Sequence, residues 1–262
     1  MKSLSIAATG MLAQQRNVEV ISNNIANLNT AGYKRQRAEF QDLLYQTLER
    51  AGAISSASGT VTPNGVQIGA GVKTGSVYRI TEQGNVTATS NDYDLAVSGR
   101  GLFRVLLPDG TEAYTRAGNF AASADGRIVT EDGYEVLPGI TVPEDAVDVS
   151  VSKDGIVEAR IAGEQNLREI GRIELVTFFN ESGLEAIGDN LLLQTSASGE
   201  PVIGNPGDAG FGTLLQGYIE TSNVDPVQEI TALIAAQRAY EMNARVIETS
   251  DEMLATNANL RR

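Results

Sequence analysis

Apolar residues recur at helical spacing at both ends of this chain and in short alternating runs between them. From the start, Leu4, Met11, Val18 and Ile25 return every seventh residue, with Ala7, Gln14, Ile21 and Leu28 in a second line three positions on. A heptad held over about four repeats predicts a helix built to pack as a coiled coil. Towards the other end, Asp225-Pro226 supplies a capping carboxylate followed by Pro at the first helical position. Ile230, Leu233, Tyr240, Ala244, Ile247, Leu254 and Ala258 then follow at heptad spacing, interrupted by Gln237 and Asp251. Each helix is expected to be on the order of 40 Å long. Their other faces are small or polar: Ala8, Thr9, Asn23, Asn24 and Ala26 in the first, Ala235, Ala236, Asn243, Thr249 and Ser250 in the second. Pattern alone also fits a helical hairpin packed on a globular core. Seams this narrow bury little in a lone pair, so a bundle of several subunits accounts for them more economically.

The stretch Asn27 to Lys34 reads as a helix end, with Gly32 free to turn left-handed. The spacing of Phe40, Leu43, Leu44 and Leu48 predicts that helix resumes there. Residues 51–65 are small, polar and turn-rich and predict an extended connection, a natural arm between subunits. From Val72 to Thr221 short β-like runs alternate with turns. Asp109-Gly110, Asp125-Gly126, Asp132-Gly133 and Asp154-Gly155 are turn dipeptides expected to make tight hairpins, because both positions tolerate positive φ. The fold class is therefore α+β. Residues 1–35 and 222–262 form one helical coiled-coil domain, 36–75 an extended connecting segment, and 76–221 an antiparallel all-β domain, a sandwich or open barrel.

Composition narrows the chemistry. The 262 residues include no Cys, His or Trp, which removes thiol nucleophiles, imidazole bases, and His or Cys metal ligands. With 33 acidic and 20 basic residues the net charge is −13, which argues against a nucleic-acid partner. Gly69 to Gly75 resembles a phosphate loop, but Val72 displaces the Gly before Lys73 and a strand follows. Asn91-Asp92-Tyr93-Asp94 begins like a calcium loop, yet Ala96 holds a ligand position and no glutamate closes it. Asp109, Glu112, Asp125 and Asp132 could pair as glycosidase carboxylates. Each lies in or beside a predicted turn, where Asp is expected for local reasons. No catalytic, cofactor-binding or metal-ligating residue is assigned. A secreted β-domain hydrolase and an adhesin or effector are the remote alternatives. Ser3, Ser5, Thr9 and Gly10 interrupt the apolar start, and the helical pattern runs through any cleavage point, so a cleaved signal peptide is not expected.

The segment Ile21-Ser22-Asn23-Asn24-Ile25-Ala26-Asn27-Leu28-Asn29-Thr30-Ala31-Gly32-Tyr33-Lys34 resembles the N-terminal signature of the flagellar rod and hook family. Ser222 to Asp225, and Ala236-Gln237-Arg238-Ala239-Tyr240-Glu241-Met242-Asn243, resemble its C-terminal motif. Asp94 to Phe103 and Ala113 to Phe120 are similar to segments that rod and hook proteins share. Length, Leu137 to Pro143, Gly188-Asp189-Asn190 and the stretch Ser55 to Val72 look most like the members of the distal rod.

The resemblance implies a structural subunit that polymerises helically into a straight, rigid shaft carrying torque from motor to hook. A proximal rod or hook subunit is the nearest alternative. It implies export through the flagellar type III apparatus, and residence in the periplasm-spanning basal body. The implied partners are further copies of itself, proximal rod proteins, the hook protein, and the L-ring and P-ring proteins. The expected self-assembly seams are Leu4, Met11, Val18, Ile21, Ile25 and Leu28 with Ile230, Leu233, Tyr240, Ile247 and Leu254. The family-motif residues are Asn23, Asn24, Asn27, Thr30, Gly32, Tyr33, Lys34, Gln237, Arg238, Tyr240 and Glu241. The helices would line an inner tube, residues 36–75 would bridge subunits, and the β domain would face outward.

Overall fold

The computed structural model describes residues 2–50, 52, 64–161 and 167–259. Helix α1 runs Lys2–Ala26 and helix α2 runs Pro226–Asn259, starting at the expected proline. At 1.5 Å per residue these are about 38 Å and about 51 Å long. The chain divides into two compact units. One comprises Met1–Ile25, Gln36–Tyr78 and Pro226–Arg262, and the other Ala26–Arg35 and Arg79–Asp225. Gln36–Tyr78 thus groups with the helices, and Ala26–Arg35 groups with Arg79–Asp225.

The expected second helix around Phe40 to Leu48 is instead two strands, β1 (Gln36–Asp42) and β2 (Tyr45–Glu49). They return as β3 (Val66–Gly69) and β4 (Val72–Arg79), with β2 antiparallel to β3 and β1 paired with β4. The Leu43 N–H to Gly71 carbonyl bond (2.8 Å) and the Ala70 N–H to Leu44 carbonyl bond (3.1 Å) join the pairs into one ribbon. Phe40, Leu44 and Leu48 fit a period of two as well as one near 3.6, and a partner strand remote in sequence decided between them. The expected extended arm of residues 51–65 falls mostly outside the described residues.

The β unit begins with β5 (Val86–Ala88), β6 (Leu95–Ser98), β7 (Leu102–Leu106) and β8 (Glu112–Thr115). Strand β7 lies inside a nine-stranded sheet, bordered by β8 on one side and by Leu175–Thr177 and Glu135–Val136 on the other. Ala146–Val151, Ile156–Ile161 and Arg168–Arg172 form a three-stranded sheet; β6 pairs Thr213–Gln216, and β5 pairs Tyr218–Glu220. All of these pairings are antiparallel. Alternation puts Phe103 into the main core with Leu95, Val97, Phe120, Val136, Val157, Leu175 and Leu214, and Phe103 meets Phe120 edge to face at 5.0 Å.

The four Asp-Gly turns make the tight hairpins expected of them, and they share one geometry. Only the glycines are left-handed, at φ +83°, +76°, +85° and +83° for Gly110, Gly126, Gly133 and Gly155. Each glycine N–H bonds the carbonyl three residues back, from Leu107, Ser123, Thr130 and Ser152, and that residue's N–H bonds the carbonyl after the glycine. This is the three-residue hairpin loop, a type I turn closed by a left-handed glycine. Asp109 sits in its turn for a local reason: its carboxylate accepts the Thr111 N–H (2.9 Å) and hydroxyl (2.6 Å). Asn91-Asp92-Tyr93-Asp94, which begins like a calcium loop, is a turn before β6, with Asn91 Oδ1 accepting the Tyr93 N–H and Asn91 Nδ2 donating to Asp94.

Candidate functional site

Within the helical unit α1 and α2 meet along a small, polar line. Ser250 Oγ donates to Ser3 Oγ at 3.3 Å, and Asn24 Nδ2 donates to the Glu229 carboxylate at 3.1 Å. Between these, a Cβ on Gly10 would stand 3.0 Å from the Asn243 amide, so glycine is what lets the backbones approach. Moving forward by heptads on α1 means moving back by heptads on α2, an antiparallel register that sets Asn17 opposite Ala236. Ala7, Ala13, Val20, Ile21 and Asn24 are buried on α1, and Glu229, Ala236 and Ser250 on α2. On both helices the heptad positions of this line lie one residue, about 100° of turn, from a predicted seam.

The predicted seam residues therefore fall into three groups. Ile21 is buried, whereas Leu4, Met11, Val18, Ile25, Leu28, Leu233 and Ile247 are half-buried. Ile230, Tyr240 and Leu254 are exposed, and so are Ile234, Met242, Val246 and Met253 beside them. Of the motif residues on α2, Gln237, Arg238, Tyr240 and Glu241 all face outward. The single chain does not bring them together with the α1 motif.

The N-terminal motif has two structural roles. Asn23 is exposed. Asn24, 1% exposed, accepts the Gln36 N–H and donates to the Gln36 carbonyl, both at 2.8 Å, so its amide pairs with the start of the ribbon as another strand would. The rest of the motif belongs to the β unit. Thr30 Oγ1 donates to Asn27 Oδ1 (3.0 Å), Tyr33 N–H donates to the Thr30 carbonyl (3.3 Å), and Gly32 N–H donates to the Glu220 carbonyl (2.8 Å). Gly32 has φ +67°, and a Cβ there would lie 2.6 Å from the Ala117 nitrogen, so no other residue fits.

Lys34 leads to a buried ion cluster that motif reading did not foresee. Its ammonium donates to Glu220 Oε1 at 2.5 Å and to the Glu82 carbonyl at 2.9 Å. Arg116 Nε donates to Glu220 Oε2 at 2.5 Å, and its other nitrogens reach the carbonyls of Val97, Gly99 and Gly101. Gly84 N–H completes the carboxylate shell at 2.8 Å. Glu220 is 2% exposed. Burial lowers the Lys34 ammonium below its ordinary 10.5, and the attraction of Glu220 offsets this only in part. Burial alone would raise the Glu220 carboxyl, but Arg116, Lys34 and the Gly84 N–H together hold it below its ordinary 4.5. Two signals in the sequence point to this cluster. Arg116 sits inside the shared segment Ala113 to Phe120, and Glu220 ends its strand and is followed at alternate positions by Ser222 and Val224, both buried like it.

Among the described residues no group of His, Cys, Asp or Glu is arranged to hold a metal ion, and no helix is long and apolar enough to cross a membrane. What the geometry defines is a structural subunit: a β unit with its own apolar core, pinned motif loops, and helices with many of their larger apolar side chains exposed. Three stretches match known families, residues 4–34 the flagella basal body rod protein, 96–159 the flagellar hook protein FlgE/F/G D1 domain, and 215–260 the flagellar basal body rod FlgEFG protein C-terminal region. The flagellar basal-body rod protein FlgG of Caulobacter vibrioides is 61% identical over 100% of both chains. The FlgG of Borreliella burgdorferi is 46% identical, covering 100% of this chain and 99% of its own. The flagellar basal-body rod protein FlgF of Caulobacter vibrioides is 36% identical, covering 96% and 94%. The chain belongs to the flagellar basal-body rod and hook family, and it is a structural subunit of the basal-body rod like the FlgG proteins it resembles. The crystal structure of Helicobacter pylori flagellar hook protein FlgE2 aligns over 71% of this chain and 43% of that one, at 17% identity and a TM-score of 0.25, which is too low to bear on the fold.

Proposed function

We propose that the chain is the building block of the distal rod, polymerising helically into a straight shaft that carries torque from motor to hook. The observation that carries this reading is the division of labour on the helices. The intrachain contact uses Ser3, Gly10, Asn24, Glu229, Asn243 and Ser250, while Ile230, Ile234, Tyr240, Val246, Met253 and Leu254 stay at least 39% exposed. Ile230 and Ile234 lie one turn apart, Tyr240 and Leu254 are two heptads apart on a second line, and Val246 and Met253 are one heptad apart on a third, so large apolar side chains are exposed on several sides of α2. Exposed apolar surface of this extent marks an interaction surface. Copies of the same chain are its occupants, in the closed or helical repetition that identical subunits adopt.

On this reading α1 and α2 line the inner tube, the ribbon of β1 to β4 bridges neighbouring subunits, and the β unit faces outward. The ribbon suits that role. Two strands alone are marginal in water, and Leu44, Tyr45, Leu48, Val66 and Ile68 are exposed on it. The chain passes through the flagellar type III export apparatus and works in the periplasm-spanning basal body. There it meets proximal rod proteins below, the hook protein above, and the L-ring and P-ring proteins around it. It acts without a cofactor and catalyses nothing. The test is seeded growth of the purified chain on isolated basal-body fragments, viewed by electron microscopy. Straight tubes are expected; curved ones, or persistent monomers beside competent seeds, would reject the proposal.

A further inference from the structure

Four times the backbone passes from one compact unit to the other, after Ile25, Arg35, Tyr78 and Asp225. Inside the β unit the ends of these passages are gathered by one side chain. Asn223 Oδ1 accepts the Arg35 N–H at 2.7 Å, and Asn223 Nδ2 donates to the carbonyls of Ile80 and Glu82, both at 3.0 Å. Ile80 N–H in turn donates to the Arg35 carbonyl at 2.8 Å. Arg35 is the last residue before one passage, Ile80 is the second after another, and Asn223 itself is two residues before a third. The loop that follows the remaining passage is held at Gly32 and Lys34 by Glu220, three residues before Asn223.

We propose that Asn223 is a positioning residue for torque transmission, the point at which force arriving along the connecting segments enters the β unit. This rests on the drive-shaft reading above. The chemistry requires an amide. An aspartate of the same size still accepts the Arg35 N–H, but it loses both donors and turns its charge on two carbonyl oxygens. A purely apolar side chain forms none of these bonds. Because Asn223 is half-buried and lies outside the apolar core, a defect here loosens the gathering point and leaves the β core intact.

The test uses Asn223→Asp in the full-length chain. In the monomer, amide exchange at Arg35 and Ile80 is expected to accelerate about tenfold, with the amides of β7 unchanged. In cells whose only copy is the variant, rods form, and tethered motors turn at low viscous load but stop or shear severalfold more often than wild type at high load. Local loosening with a wild-type load response would overturn the proposal, as would a deficit equal at all loads. If the variant builds no rods, Asn223→Ser takes its place: its hydroxyl is too short to hold Arg35, Ile80 and Glu82 together, and it sets no charge against the two carbonyl oxygens. A wild-type load response in that variant would then overturn the proposal. Failure of the wild-type chain to restore rods in a strain lacking it would instead reject the drive-shaft reading.

Discussion

Replacing Glu220 by Gln is the sharpest test of the buried ion cluster. The carboxylate is 2% exposed and serves three donors, Lys34 Nζ and Arg116 Nε at 2.5 Å and the Gly84 N–H at 2.8 Å. Glutamine keeps the shape but leaves two cations buried with no anion. Breaking a buried pair from one side costs about 3–5 kcal/mol. The amide oxygen still accepts one bond, so the lower end, about 3 kcal/mol, is expected. With a urea slope of about 3 kcal/mol per molar for a chain of this length, the midpoint falls by about 1 M. The chain has no Trp, so circular dichroism and tyrosine fluorescence of the full-length monomer follow the transition. Lys34→Met is the comparison. It leaves Glu220 paired with Arg116 and removes an ammonium that burial penalises, for a cost of about 1 kcal/mol. Equal costs for the two variants, or a shift for Glu220→Gln within error of zero, would refute the reasoning.

The same cluster fixes a pH dependence. The folded carboxyl of Glu220 titrates below its unfolded value near 4.5, so its stabilisation is complete above that value and is lost as pH falls through the folded one. Lys34 acts in the opposite sense. Its folded pKa lies below 10.5, so its charged form costs the fold stability, and that cost disappears as pH rises from the folded value towards 10.5. Urea midpoints of wild type and Glu220→Gln should converge in acid, and those of wild type and Lys34→Met should separate further in alkali.

Three further outcomes are expected. Ser3→Cys with Ser250→Cys in assembled rods should oxidise to an intrachain disulfide, detected by non-reducing mass spectrometry against a chain that has no cysteine of its own. Ser3→Cys with Ala236→Cys, two heptads out of register, should not. Ile234→Lys, on the exposed face of α2, should change monomer stability by less than about 0.5 kcal/mol and stop seeded growth. A variant that grows normally would remove the apolar face from the assembly interface. Helices this weakly packed are marginal alone, so amide exchange in residues 2–25 and 227–259 should be fast in the secreted monomer and slow in rods. Strong protection in the monomer would contradict this.

The period of the apolar residues was enough to place both helices, and Pro226 marked where the second begins. Alternation and turn residues likewise announced an antiparallel β domain, because φ freedom at glycine and local carboxylate bonds act over a few residues. The motif residues Asn24, Gly32 and Lys34 were legible as important, though not for what they do. Three decisions belonged to the tertiary structure. Residues 36–49 became strand because pairing with 66–79 supplied ladder bonds that no local window contains. The two helices met through Ser3, Gly10, Asn24, Glu229, Asn243 and Ser250, and not through their largest apolar residues. Two segments already tethered in one chain need little affinity to meet, and small side chains let them come close. Glu220, Arg116 and Asn223 acquired their roles because folding brought strands distant in sequence to one point, where burial raised the cost of leaving any charge or amide without its partner.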